Sequence, residues 1–145
     1  MTLYATFHSG DRLYGIGILG VREIIRAQDI TEVPRSSPHV RGLINLRGQV
    51  VTIIDLAVRL GMPRRGLTDQ SHIVVIKPAH GPGIPMDPVG LLVDTIGDVI
   101  EADDSATETP PANVNEQEDR FLSGVVKTAS GLLILLKLPD LLATH

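Results

Sequence analysis

The sequence predicts a mainly β protein, two small barrels packed on one another with a few short helices. Three observations carry that expectation. Apolar residues make up 43% of the chain but aromatics only 3%, so the core has to be built from Val, Ile and Leu, whose β-branched members favour strands. The apolar residues come in short runs punctuated by Gly and Pro, the pattern of strands and turns. The two halves of the chain also match each other, weakly but in order.

Residues 3–8 read as a strand, and Ser9-Gly10-Asp11 is a turn signal that returns the chain as a second strand over 13–18. Residues 21–25 carry apolar side chains at 21, 24 and 25, the spacing of one helical turn. A short strand over 30–33 stops at Pro34. Ser37-Pro38 fits a helix N-cap followed by proline at the first helical position, a single turn before the sheet resumes. The clearest hairpin joins Leu43-Ile44-Asn45-Leu46 to Val50-Val51-Thr52-Ile53-Ile54, with Gly48 supplying the positive φ that its turn demands. Asp55 caps a short helix running to Leu60, which Gly61 and Pro63 end.

Residues 64–70 and 78–88 are loops, the second holding four prolines and two glycines. Between and beyond them, 73–76, 89–93 and 96–100 are apolar strands. Residues 101–119 form a long connection, and 122–126 with 132–136 make a second hairpin around Ala129-Ser130-Gly131. A terminal helix covers 139–142.

The internal match follows two separations. Tyr14-Gly15-Ile16 falls on Val89-Gly90-Leu91, and Val21 to Ile25 on Ile96 to Ile100, 75 residues later. Gly42-Leu43-Ile44 falls on Gly124-Val125-Val126, and residues 50–54 on 132–136, 82 residues later. The acidic connection absorbs the difference. We therefore expect one domain over 1–145 with two barrel subdomains, the second-half repeat covering 71–142. Half a chain buries too little surface to be stable alone, and closure into barrels removes exposed sheet edges.

Charge and composition exclude several function classes. A net charge of −4 and a pI near 5.6 argue against nucleic-acid binding. There is no cysteine, hence no disulfide or thiolate metal site. The first residues lack a basic, apolar signal peptide and no stretch is long enough to span a bilayer, so a cytoplasmic location is expected. Residues 34–65 hold six arginines and one acid, while 101–119 hold seven acids and no base; both read as solvated surface.

Two motifs suggest chemistry and fail on context. Gly15-Ile16-Gly17-Ile18-Leu19-Gly20 matches a dinucleotide fingerprint, but only two residues part it from a polar turn and no long helix follows. Asp94-Thr95-Ile96-Gly97 resembles an aspartic-protease loop, but Ile96 interrupts it and there is no second copy. The histidines His8, His39, His72, His80 and His145 lack ligand spacing and read as surface residues. Neither a catalytic residue, a cofactor nor a metal is expected.

The run Arg41-Gly42-Leu43-Ile44-Asn45-Leu46-Arg47-Gly48-Gln49-Val50-Val51-Thr52-Ile53-Ile54-Asp55-Leu56 closely resembles the signature of the CheW chemotaxis coupling family. Tyr14-Gly15-Ile16, the Val21-to-Ile24 step, Gly90 to Asp94, Asp98-Val99 and the hairpin and helix over 124–142 are similar to that family too. The resemblance implies two intertwined five-stranded SH3-like barrels and a non-enzymatic adaptor. It implies two partners, the cytoplasmic tip of methyl-accepting chemoreceptors and the regulatory domain of the CheA histidine kinase, with recruitment to membrane receptor arrays but no membrane insertion. A regulatory domain of the same fold from a larger kinase, or from a pilus-type system, is the alternative; the start at Met1 close to the first strand favours the adaptor.

Carried over residue by residue, the resemblance places Val21, Glu23, Gly42, Arg47, Gly90 and Val99 on or near a receptor-binding surface. Gly42, Gly90 and Val99 read rather as backbone or core positions and Glu23 equally as an ordinary exposed carboxylate, whereas Arg47 at a hairpin tip has little structural reason to be arginine. The chain departs from many relatives at Gly17, Gly20 and Lys137 and in the loop around Pro82-Gly83-Ile84-Pro85, which bears on partner specificity.

Overall fold

The computed structural model describes residues 1–78, 81–103, 108–129 and 131–143. Ten strands form two five-stranded sheets: β1 (Thr2–Ser9), β2 (Arg12–Gly17), β3 (Val21–Arg26), β4 (Val40–Leu46), β5 (Gln49–Asp55), β6 (His72–Ile76), β7 (Val89–Val93), β8 (Thr95–Ala102), β9 (Leu122–Thr128) and β10 (Gly131–Leu136). Three short helices accompany them, α1 (Leu56–Arg59), α2 (Glu116–Arg120) and α3 (Leu138–Leu142).

The first sheet runs β8-β1-β2-β10-β9 and the second β3-β6-β7-β5-β4. Advancing every strand of the first sheet by five places, with β10 followed by β1, yields the second. The sheets are intertwined: each takes strands from both halves of the chain, through the parallel pairs β2–β10 and β5–β7.

The registers agree as well. Leu135 faces Gly15 as Ile53 faces Gly90, and Gly124 faces Leu135 as Gly42 faces Ile53. Even the irregularity recurs, between Ala5 and Phe7 where β1 meets β8 and between Val21 and Glu23 where β3 meets β6.

The β-ladders do not run all the way round. In the second sheet the outer strands are joined through Thr31, whose N–H donates to the Leu43 carbonyl at 2.9 Å and whose carbonyl accepts from Leu43 N–H at 2.8 Å. In the first sheet Glu108 N–H donates to the carbonyl of Val125, the residue in Leu43's place, at 2.7 Å.

The largest core lies between the sheets and takes Phe7, Tyr14 and Ile16 from one end of the chain and Ile134, Leu136 and Leu141 from the other. Smaller cores sit within each sheet, around Ile53, Ile73 and Val75 in the second and around Tyr4, Leu133 and Leu135 in the first. This division explains why strands such as β7 are buried along their whole length.

Three sequence expectations need correction. Residues 21–25 are not a helical turn but the strand β3, preceded by one 3-10 turn over Ile18–Gly20. The stretch 30–33 supplies only the single bridge at Thr31. Ser37-Pro38 begins no helix; Val40 N–H donates to the Ser37 carbonyl at 2.9 Å and the chain turns straight into β4.

The arginine-rich segment is a solvated face only in part: Arg35, Arg47 and Arg64 are exposed, and Arg41, Arg59 and Arg65 are half-buried. Arg41 donates to Asp55 at 2.8 Å, Arg64 to Glu32 at 2.8 Å and Arg65 to Asp94 at 2.6 Å. Arg59 donates to the carbonyls of Leu141, Asp140 and Ala143, fastening α3 to α1. Burial lowers the pKa of Arg59, with Arg120 adding to the effect. Beside it, burial first and then Arg59 hold His39 below the usual histidine range. His8, His39 and His72 are half-buried, and His80 and His145 lie outside the described residues.

The acidic connection also does more than link strands, although its residues 104–107 lie outside the described set. Asn115 caps α2, its side chain accepting from Glu118 N–H at 2.7 Å. That places Glu118, 1% exposed, against Tyr14, whose hydroxyl donates to the carboxylate at 2.5 Å, with Arg12 3.4 Å away. Burial, reinforced by Glu118, pushes the Tyr14 phenol far above its ordinary range and keeps it a donor. Tyr14→Phe would leave a buried carboxylate short of one charge-assisted bond, so stability to urea should fall by about 1.5–3 kcal/mol. A loss under ~0.5 kcal/mol would mean that Arg12 alone balances Glu118.

Candidate functional site

The β4–β5 connection is a two-residue hairpin turn with Arg47 at φ 52° and Gly48 at φ 82°. Positive φ at both central residues is the requirement of a type I′ turn, which matches the twist of the strands. Asn45 closes it, its side-chain oxygen accepting from Gly48 N–H at 2.9 Å. Glycine and asparagine suit such positions; an arginine with φ > 0 costs roughly 1–2 kcal/mol. The tip is thus strained by a residue whose side chain is 63% exposed.

The guanidinium of Arg47 donates to Glu23 on β3, across the gap between the outer strands of the second sheet. Arg22 flanks the pair, with its Nε 3.8 Å from Glu23 and its Nη1 donating to Gln49 at 3.0 Å. The irregular pairing between Val21 and Glu23 alters the register just where β3 delivers this carboxylate. Glu23 itself is 23% exposed, so the pair forms a charged lip over the gap, one side pinned and the other in solvent.

The six residues expected at the site separate into three groups. Glu23 and Arg47 are brought into contact, and Val21, half-buried at the start of β3, packs on the main core below them. Gly42 and Gly90 belong to the same sheet but face inward. A Cβ on Gly42, at φ 147°, would sit 2.2 Å from the Thr31 carbonyl oxygen, and one on Gly90 would sit 2.6 Å from Ile73 Cγ2. Both glycines are there to let other atoms approach. Val99 lies on β8 of the other sheet, 56% exposed, at the place Ile24 takes on β3.

Sequence reasoning missed Arg22, Asn45 and Gln49 as supports of the lip. Asn45 was legible, three residues before a positive-φ glycine, as a side chain able to close its own turn. Partners of Arg22 were not, because they depend on which strands become neighbours. Among the described residues no group of His, Asp or Glu is arranged to hold a metal ion. The lip offers directional donors on a hairpin tip and a carboxylate on β3, which suits recognition of another protein's polar side chains.

Comparisons with known proteins point one way. The family model described as "CheW-like domain" matches residues 3–145. The "Probable chemotaxis protein CheW" of Rhizobium etli is 33% identical over 135 residues, 93% of this chain and 83% of that protein. The "Chemotaxis protein CheW" of Bacillus subtilis is 35% identical over 120 residues, 83% of this chain and 73% of that one. Among solved structures, the scaffolding protein TtCheW from Thermoanaerobacter tengcongensis matches with a TM-score of 0.82 at 30% identity, covering 99% of this chain and 89% of that one.

Proposed function

The chain belongs to the CheW-like domain family and is a chemotaxis coupling adaptor, and from that premise we propose that it joins the cytoplasmic tip of a methyl-accepting chemoreceptor to the regulatory domain of a CheA-type histidine kinase. It does so without catalysing a reaction, as one domain of two intertwined subdomains, the second-half repeat spanning residues 71–142. No described helix is long and apolar enough to cross a membrane; recruitment to receptor arrays comes through the receptor.

The observation that carries this reading is Arg47, a strained, exposed arginine held at a hairpin tip by Glu23. The turn requires the positive φ but not an arginine to adopt it, and a poorly suited residue at a strained position points to a side chain kept for a partner. Receptor binding uses Arg47, Glu23 and Val21 directly and Val99 from the neighbouring sheet. Gly42 and Gly90 act by shaping the sheet that presents them.

The test is assembly in solution. Size-exclusion with light scattering should give a binary complex with a receptor-tip fragment, another with the kinase regulatory domain, and a ternary complex when all three are mixed. Binding to neither, or full competition between the two, would overturn the adaptor assignment.

A further inference from the structure

The two sheets agree in strand order and register, so a feature present in one and missing from the other stands out. In the second sheet the gap between the outer strand and the hairpin tip is latched by Arg47 on Glu23 and by Arg22 on Gln49. The register gives each of these residues a counterpart in the first sheet. Asp98 stands where Glu23 stands and Gly97 where Arg22 stands, because Val99 faces Ala5 as Ile24 faces Val74. Ala129 stands where Arg47 stands and Gly131 where Gln49 stands, because Gly131 faces Thr128 as Gln49 faces Leu46. The carboxylate of the latch is retained while both arginines and the glutamine are replaced by small residues.

The first sheet is accordingly open there. A cavity of about 530 Å³ is lined by Gly97, Asp98 and Ile100 of β8, Leu132 and Ile134 of β10, and Leu13. Asp98 is exposed, and its carboxylate has no partner among the described residues; only its backbone carbonyl is engaged, accepting from the Thr6 hydroxyl at 2.5 Å. The charged groups on the wall are Asp98, Asp11 and Arg12, and Arg12 already faces Glu118 at 3.4 Å. What is left uncompensated is negative. The apolar part of the wall is Leu13, Ile100, Leu132 and Ile134, of which Leu132 stands exposed.

We propose that this gap is a second docking surface, which receives an arginine of a partner protein flanked by apolar side chains. The incoming guanidinium takes on Asp98 the place that Arg47 takes on Glu23, and its apolar neighbours cover Leu132 and Leu13. The occupant is therefore a cationic, amphipathic peptide segment. Charge complementarity selects the arginine, and the internal latch of the other sheet supplies the template for its geometry. This surface is separate from the Glu23–Arg47 lip, and it stands or falls independently of the adaptor assignment.

Amide NMR of the intact chain tests it with three acetylated tripeptide amides: leucine–arginine–leucine, leucine–citrulline–leucine and leucine–glutamate–leucine. The arginine peptide should shift amides around Gly97, Asp98 and Leu132 and leave those around Glu23 and Arg47 in place. Asp98→Asn and the citrulline peptide should each weaken binding by about fivefold, which corresponds to the ~1 kcal/mol of an exposed ion pair. Ala129→Arg rebuilds the missing latch within the chain and should abolish the shifts while the remaining amide spectrum stays native. The proposal is overturned if the arginine peptide shifts nothing near Asp98, if the citrulline or glutamate peptide binds as well, or if Ala129→Arg leaves binding unchanged.

Discussion

Gly42→Ala should lower the stability of the fold by about 2–5 kcal/mol, the largest loss we expect from adding a single methyl group to this chain. Two terms contribute. At φ 147° the backbone of residue 42 is in a region that L side chains rarely adopt, at a cost of order 1–3 kcal/mol. The new Cβ would also lie 2.2 Å from the Thr31 carbonyl oxygen, a backbone atom that cannot swing aside. Thr31 would have to retreat, and the two hydrogen bonds that join it to Leu43 would go with it, each worth about 0.5–1.5 kcal/mol. The melting temperature should drop by roughly 5–15 °C, given about 2–4 °C per kcal/mol for a chain of this size.

The control is Gly124→Ala at the register-equivalent position, where a Cβ meets nothing within 4 Å among the described residues. That variant should stay within ~1 kcal/mol of the parent. Equal losses at the two positions would show that the Thr31 contact contributes nothing. Any receptor-binding defect of Gly42→Ala is then expected to track its unfolding, because residue 42 offers no side chain to a partner.

Arg47→Glu should behave in the opposite way. Receptor affinity should fall tenfold or more, since losing a charge-assisted, bidentate contact removes at least ~1.4 kcal/mol. Stability should hardly move, because Arg47 and Glu23 form a largely exposed pair worth under ~1 kcal/mol. Arg47→Lys should recover only part of the affinity, as a point charge cannot fork onto a carboxylate. Arg47→Asn separates the two roles most cleanly. Asparagine tolerates a positive φ, so this variant should melt at or above the parent temperature, by up to ~1 kcal/mol of relieved strain, while binding is lost. Titration calorimetry with a receptor-tip fragment, paired with a melting curve for each variant, decides the matter. Unfolding of Arg47→Glu would make the residue structural, and unchanged affinity would leave it a mere turn residue.

The contrast between Gly42 and Arg47 also marks what was legible in the sequence. The β4–β5 hairpin, its positive-φ glycine and the Asp55 helix cap all rest on chemistry between neighbours, and each is found at its expected position. The strand equivalences were legible too, because the Gly and Val/Ile patterns repeat. β3 was misread for a physical reason: Val21, Ile24 and Ile25 have helical spacing only because Ile24 is an apolar residue on the exposed face of a strand.

The arginines were misread because their partners lie far along the chain, Arg65 with Asp94 and Arg59 with the end of α3. Nothing local announces such pairs. Glu118 is a different case. Asn115, three residues ahead of it, is a helix-start signal within reach of sequence reasoning, but the seven acids of 101–119, Glu118 among them, made the segment look like solvent-facing loop. The true partner of that carboxylate, Tyr14, is again remote.

The strand exchange between the sheets has a consequence for how the chain is completed during its synthesis. The second sheet draws on strands β3 to β7, all of which have been made once Val93 is in place. The first sheet needs β1 and β2 from the very start of the chain and β8, β9 and β10 from near its end. The amino-terminal hairpin, carrying Phe7 and Tyr14, must therefore wait with its apolar face uncovered while more than half of the protein emerges from the ribosome. Ordering so distant a pairing is slow, and exposed strands are prone to association in the interval. Of the ten strands, the two made first belong to the sheet that is completed last.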